Sequence, residues 1–139
     1  MNYLLDTNAV IALLRDNPPG VRSRLRQVAA EGASIAVSSI VLYELWYGVA
    51  RSARRRENAE RLRVFLSGNI ETVAFNDEDA AAAGDLRAAL ETAGTPIGAY
   101  DLLIAAQALR SGTMLVTANV SEFARVRSLV WQDWTADAP

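Results

Sequence analysis

The sequence predicts an α/β fold with a mostly parallel sheet and helices on both faces. Three observations predict it. Short apolar runs alternate with longer stretches of helical apolar spacing along all 139 residues. Glycine, proline, serine and asparagine fall between those stretches, where turns and caps need them. No internal repeat, low-complexity tract or linker divides the chain, so one domain is expected over 1–134, with 135–139 as a frayed tail.

The elements follow in order. Tyr3-Leu4-Leu5 is a short apolar run that reads as a buried strand, and Asp6 stands where a helix N-cap belongs. Asn8 to Arg15 has helical spacing until Asn17-Pro18-Pro19-Gly20 breaks it. Val21 to Glu31 is a second helix, closed by Gly32. Ser34 to Val37 is a second strand, leading through Ser38-Ser39 into a helix from Ile40 to Ala50. Arg54 to Leu66 is helical and ends at Ser67-Gly68-Asn69. Glu71 to Ala74 is a third strand, and Asn76 or Asp77 caps an alanine-rich helix reaching Thr92. After the loop Ala93 to Gly98, Tyr100 to Arg110 is a helix stopped by Gly112. Met114 to Thr117 is a fourth strand, Val120 to Val126 a short helical piece, and Leu129 to Trp131 a last strand.

Composition narrows the chemistry. Hydrophobic residues make up 51% and charged residues 22%, an ordinary globular balance. No apolar run can span a bilayer and no signal peptide is evident, so a cytoplasmic protein without membrane contact is expected. There is no cysteine, which excludes disulfides, thiol nucleophiles and thiolate metal sites. There is no histidine, which removes the imidazole base and nearly all ordinary zinc sites. An enzyme built from this chain must work with oxygen groups, which suit hard cations such as Mg²⁺ or Mn²⁺. All 14 basic residues are arginine. Arg51, Arg54, Arg55, Arg56, Arg61 and Arg63 crowd one stretch, and Arg22, Arg24 and Arg26 another. They permit a phosphate-binding rim as well as ordinary solvated helix faces.

Asp6, Glu44 and Asp101 sit in the most apolar surroundings of any acids in the chain. Each has a plain reading alone: a helix cap, a surface glutamate and a first-turn acid facing the helix dipole. Together they read differently. Removing the partner of a buried carboxylate costs of order 3–5 kcal/mol, and a cluster without counter-charge costs more. A divalent cation resolves that conflict, and can activate water and shield a phosphoryl oxygen. Sites of open parallel sheets form beyond the carboxyl ends of the strands, where Asp6, Ser38 and Asn119 are expected. A nucleotide loop of the G-x-x-x-x-G-K-[ST] type is impossible without lysine.

The motifs Leu4-Leu5-Asp6-Thr7-Asn8, Ser38-Ser39 with Tyr43-Glu44-Leu45-Trp46-Tyr47-Gly48, Thr95 to Ala106 around Asp101, and Leu115-Val116-Thr117-Ala118-Asn119 with Glu122-Phe123 occur in this order. In this the sequence resembles the PIN-domain ribonucleases, and among them the VapC toxins of bacterial toxin–antitoxin pairs. The resemblance spans essentially the whole chain. It implies a three-layer PIN-like sandwich, with Asp6, Glu44 and Asp101 holding Mg²⁺ or Mn²⁺. Asn119 matches a fourth catalytic position that is often Asp, and Thr7 or Thr117 would place a hydroxyl near the metal. The implied reaction is hydrolysis of an RNA phosphodiester in a tRNA or ribosomal RNA. The implied partners are a VapB-like antitoxin and a second copy in a homodimer, with a higher toxin–antitoxin assembly. Trp46, Tyr47, Leu62 and Phe65 are candidate antitoxin contacts that read equally as core. Two other classes compete: a PIN-fold RNA-binding or interaction module without catalysis, and an aspartyl-phosphate phosphatase with Asp6 as nucleophile. The second lacks the lysine that such chemistry needs.

Overall fold

A computed structural model describes residues 2–136. In chain order the elements are β1 (Asn2–Leu5), α1 (Thr7–Arg15), α2 (Pro19–Ala30), β2 (Ser34–Ser38), α3 (Ser39–Arg51), α4 (Arg55–Leu66), β3 (Glu71–Val73), α5 (Asp77–Thr92), α6 (Ala99–Ser111), β4 (Met114–Val116), α7 (Val120–Phe123) and β5 (Trp131–Gln132). Among the described residues the sheet has five strands in the order β3-β2-β1-β4-β5. Every pairing is parallel, so the expected mostly parallel sheet is wholly so.

The core explains that topology. Tyr3, Leu4 and Leu5 are buried one after another, and so are Leu115 and Val116. Successive strand residues point to opposite faces, so consecutive burial means that both faces of the sheet are covered. Val10, Leu13, Val21, Val41 and Leu62 bring α1 to α4 into the core, and Leu102, Ile104 and Ala105 bring in α6. Parallel strands need long crossovers, and the helices supply them. No helix among the described residues is long and apolar enough to cross a membrane.

Most boundaries fall within a residue or two of expectation, and the differences have local causes. α2 starts at Pro19 rather than Val21, because proline suits a first helical position whose N–H has no partner. Asn76, not Asp77, caps α5, in a capping box with Asp79. The last strand lies at 131–132 rather than 129–131. Leu129 instead turns inward as a buried core residue, and Leu115 N–H reaches Val130 O at 3.0 Å. The last three residues of the expected frayed tail, 137–139, lie outside the described residues. Thr135 is tied back, donating its N–H to Asp133 Oδ1 at 2.8 Å.

The chain builds β1, β2 and β3 outward on one side, then crosses to place β4 on the other side of β1. The carboxyl ends of β1 and β4 therefore flank the point where strand order reverses. Open parallel sheets form their ligand crevice at such a point.

Candidate active site

Asp6 leaves β1 at that reversal. Its N–H still bonds Val116 O at 3.0 Å, so it stays on the sheet ladder. Its backbone is extended (φ −80°, ψ 176°), and its Oδ1 accepts the Ala9 N–H at 2.8 Å as the N-cap of α1. The cap expected from sequence is real, and it engages one carboxylate oxygen, Oδ1. Asp6 is only 3% exposed. Burial pushes its carboxyl above the ordinary range, the Thr117 hydroxyl and the Ala9 amide pull it back, and the charges of Glu44 and Asp133 push it further up.

Glu44 lies mid-α3 and is half-buried. Its Oε1 accepts the Thr7 hydroxyl at 2.8 Å, so it is no free surface glutamate. The residue after Asp6 thereby ties α1 to α3. Asp101 stands in the first turn of α6, as its plain reading required, but it faces other acids. Asn119, between β4 and α7, donates its Nδ2 both to Asp101 Oδ2 and to Glu122 Oε2, each at 3.1 Å. Gly98 N–H donates to Glu122 Oε1 at 3.3 Å.

Asp101 is pushed up to about 7, first by burial, then by its hydrogen bond with Glu122, then by the charges of Glu122, Asp6 and Glu44. Glu122 moves the other way, pulled down by that same bond and by the Gly98 and Asn119 amides and Arg125. The two carboxyls titrate as a pair, and both take a hydrogen bond from the Asn119 amide. The four sequence candidates Asp6, Glu44, Asp101 and Asn119 thus lie in one neighbourhood: Asp101 feels the charges of Asp6 and Glu44, and Asp6 feels that of Glu44. Glu122 belongs with them as well. Sequence reasoning placed Glu122 only within a motif and gave it no role, since an acid on the short helical piece from Val120 reads as solvent-facing. Asp133, just after β5, was not singled out.

The donors are chemically suited to a hard divalent cation. They are oxygens throughout, and no ion pair among the described residues engages Asp6, Glu44, Asp101 or Glu122. As placed, no three acids among the described residues close tightly enough around one point to hold an ion. Mutual repulsion keeps such a group spread, and a cation would reverse the sign of that interaction.

Other candidates resolve differently. Ser38 is fully buried at the end of β2, one position beyond the Val37–Leu5 pairing and so beside Asp6 on the neighbouring strand, and its hydroxyl caps α3 by accepting the Ile40 N–H at 3.1 Å. Leu62 is a core residue, 1% exposed, and is removed from the set of antitoxin contacts. Phe65 lines a cleft of about 770 Å³ with Leu13, Leu14, Leu25 and Val64. Arg22 and Arg26 from one arginine-rich stretch and Arg56 and Arg61 from the other line that same cleft, together with Glu57 and Glu60. Arg22 pairs with Asp16, Arg63 lies over Trp46 and Arg61 donates to Leu14 O. Arg15 and Arg61 do line a smaller cleft, about 230 Å³, that reaches Glu44.

An acid-lined crevice at the switch point of a parallel sheet now stands beside known proteins. The family model described as PIN domain matches residues 3–129, and the chain belongs to that family. Within it, the chain stands with the VapC proteins. It is 39% identical to Ribonuclease VapC2 of Rickettsia felis over 96% of this chain and 98% of that protein. It is 33% identical to the tRNA(fMet)-specific endonuclease VapC of Salmonella typhimurium, again over 96% and 98%. The crystal structure of VapBC2 from Rickettsia felis bound to a DNA fragment from their promoter superposes with a TM-score of 0.89 at 38% identity, covering 96% of this chain and 99% of that chain.

Proposed function

We propose that this chain is a Mg²⁺- or Mn²⁺-dependent ribonuclease, the toxin of a VapBC-type pair, silenced by a VapB-like antitoxin. The observation that carries this reading is the group of carboxylates at the switch point with no ion pair to any of them among the described residues. Such a group stores repulsion that a bound cation relieves. Asp6, Glu44 and Asp101 would hold the ion, with Asn119 as a neutral amide orienting Asp101. When bound, the ion supplies an activated water and charge shielding at the phosphate.

The chain's own residues do the rest. Thr7 fixes Glu44, and Thr117 lies against Asp6. Asn119 holds Asp101 and Glu122 through one amide, which fixes both carboxylates at the mouth of the site. Arg15 and Arg61, in the cleft that reaches Glu44, are placed to hold a phosphate flanking the scissile bond. Single-stranded or loop RNA is the fitting substrate, since its backbone is accessible; a tRNA or ribosomal RNA is in keeping with the relatives' names. The wide apolar cleft lined by Phe65 suits an antitoxin segment. We place the working unit in the cytoplasm as a homodimer within a larger toxin–antitoxin assembly, each copy a single domain over 1–134.

The test is cleavage of purified tRNA and ribosomal RNA by the antitoxin-free chain. EDTA should stop cleavage, and excess Mg²⁺ or Mn²⁺ should restore it. Cleavage that persists in EDTA would defeat metal dependence. Metal binding without any cleavage would favour the non-catalytic RNA-binding module.

A further inference from the structure

Beside the carboxylates lies a second feature that no step above uses. Tyr43, Tyr47 and Tyr100 are 55%, 57% and 45% exposed, although large side chains of this kind tend to bury their rings. Their placement follows the site. Tyr43 precedes Glu44 on α3, Tyr100 precedes Asp101 on α6, and Glu44's charge reaches the Tyr100 hydroxyl. The Tyr43 and Tyr100 ring centroids are 5.6 Å apart with the planes tilted by 55°, and the Tyr100 O–H donates to the Tyr43 hydroxyl at 3.4 Å. Two rings that meet at a tilt rather than in a stack leave ring face open to a third flat group. Tyr47, one turn beyond Tyr43, continues the row, and the Arg51 guanidinium lies 5.7 Å from its ring centroid. Gly48, between them, would carry a Cβ into open space.

Aromatic faces interleaved with guanidinium, next to a phosphodiester-cleaving centre, are the chemistry that grips unpaired nucleotides. Bases stack on the rings whatever their sequence, and arginine holds the phosphate between them. Subunit contacts also use tyrosine and arginine but are poor in alanine, whereas exposed Ala50 and Ala99 flank this row. We propose that Tyr43 and Tyr100, extended by Tyr47 and Arg51, form a base-stacking platform that holds the unpaired nucleotides flanking the scissile phosphate. The platform rests on the ribonuclease reading of the carboxylates. It favours loops and single strands over duplex, because paired bases have no free face to offer.

The test uses the full chain, Mg²⁺ and a short single-stranded RNA carrying 2-aminopurine beside the cleaved bond. Tyr43→Leu and Tyr100→Leu keep an apolar side chain and remove the ring system. Each should raise KM about tenfold with kcat little changed, and should abolish quenching of the 2-aminopurine, while Tyr43→Phe and Tyr100→Phe behave like wild type. Sedimentation of all variants should match wild type. Unchanged KM and quenching in the leucine variants would overturn the platform. So would a KM rise that accompanies dissociation into smaller species and disappears at high protein concentration, which would make the rings a subunit contact. A wild-type chain that cleaves nothing sinks the ribonuclease reading instead, and the platform then stands or falls on quenching alone.

Discussion

Helix α6 carries a charged group near each end, and the two ends treat buried acid in opposite ways. Near its C-terminus, Arg110 Nε donates to Asp79 Oδ1 and Arg110 Nη1 donates to Glu78 Oε2 at 3.1 Å. Asp79 is fully buried, and its second oxygen accepts the Asn76 N–H at 2.9 Å. Each oxygen has a donor and the charge has a counter-charge. At the N-terminal end, Asp101 meets Glu122, Asp6 and Glu44, with one neutral amide between them. The first corner is a finished structural joint. The second is left unbalanced, and proteins keep such imbalance where something else is meant to bind.

The sharpest way to break this comparison is to neutralise the unbalanced corner. Asp6→Asn and Asp101→Asn should each lower RNA cleavage roughly a thousandfold. They should leave the urea midpoint equal or higher, because repulsion falls and an asparagine can still cap α1. A destabilised, active variant would reverse the roles assigned to the two corners. The next effect belongs to the balanced corner. Asp79→Ala strands Arg110 and breaks the α5 capping box, so unfolding free energy should drop by about 3 kcal/mol, read by denaturant titration. Turnover per folded molecule should hold, and a collapse in turnover would make that corner part of the site.

Glu122→Gln sharpens the picture further. It removes the neighbour whose hydrogen bond and charge help to raise Asp101, so the acid limb of the cleavage profile should shift to lower pH. The gain should be several-fold near pH 6, and an unmoved limb would separate Glu122 from the site. The smallest expected effect is on stability in EDTA. Asp101 holds its proton up to about 7 when folded but only to about 4 when unfolded. The folded state therefore binds the extra proton in that window, and stability should fall as pH rises through it. Glu122, pulled down, contributes with the opposite sign but only below its ordinary range near 4.3. Asp6, also raised by burial, adds a decline of the same sign. The Asp101 part of the decline should lie between about pH 4.5 and 7, and Asp101→Asn should reduce the slope there in urea midpoints taken across pH.

How much of this was legible beforehand depended on context in the chain. Leu4-Leu5 before Asp6 and the apolar run after Asp101 announce buried elements, so their acids stand out against them. Glu44 stands out the same way, but its tie to Thr7 joins residues 37 apart and leaves no local trace. Glu122 lies on the four-residue α7 and Asp133 just after the two-residue β5, elements too short to mark an acid as inward-facing. Asp79 hides in Asn76-Asp77-Glu78-Asp79, which looks like a solvated first turn. Its capping spacing from Asn76 was the available clue, whereas Arg110 lies 31 residues away. The edge strand β5 was misplaced by two residues because so short a strand is set by pairing with β4 and not by any pattern of its own.

Asp6 is tied through its main chain to the central sheet and through its side chain to the start of α1. Asp101, Asn119 and Glu122 instead stand on a first helical turn, a connecting segment and a helix of four residues. The site thus has one side fixed by the sheet ladder and another assembled from three separate segments joined by side-chain hydrogen bonds. Any tolerance for ions of unequal radius must reside in the second, and a stiffening substitution there should narrow the choice of metal without moving the first.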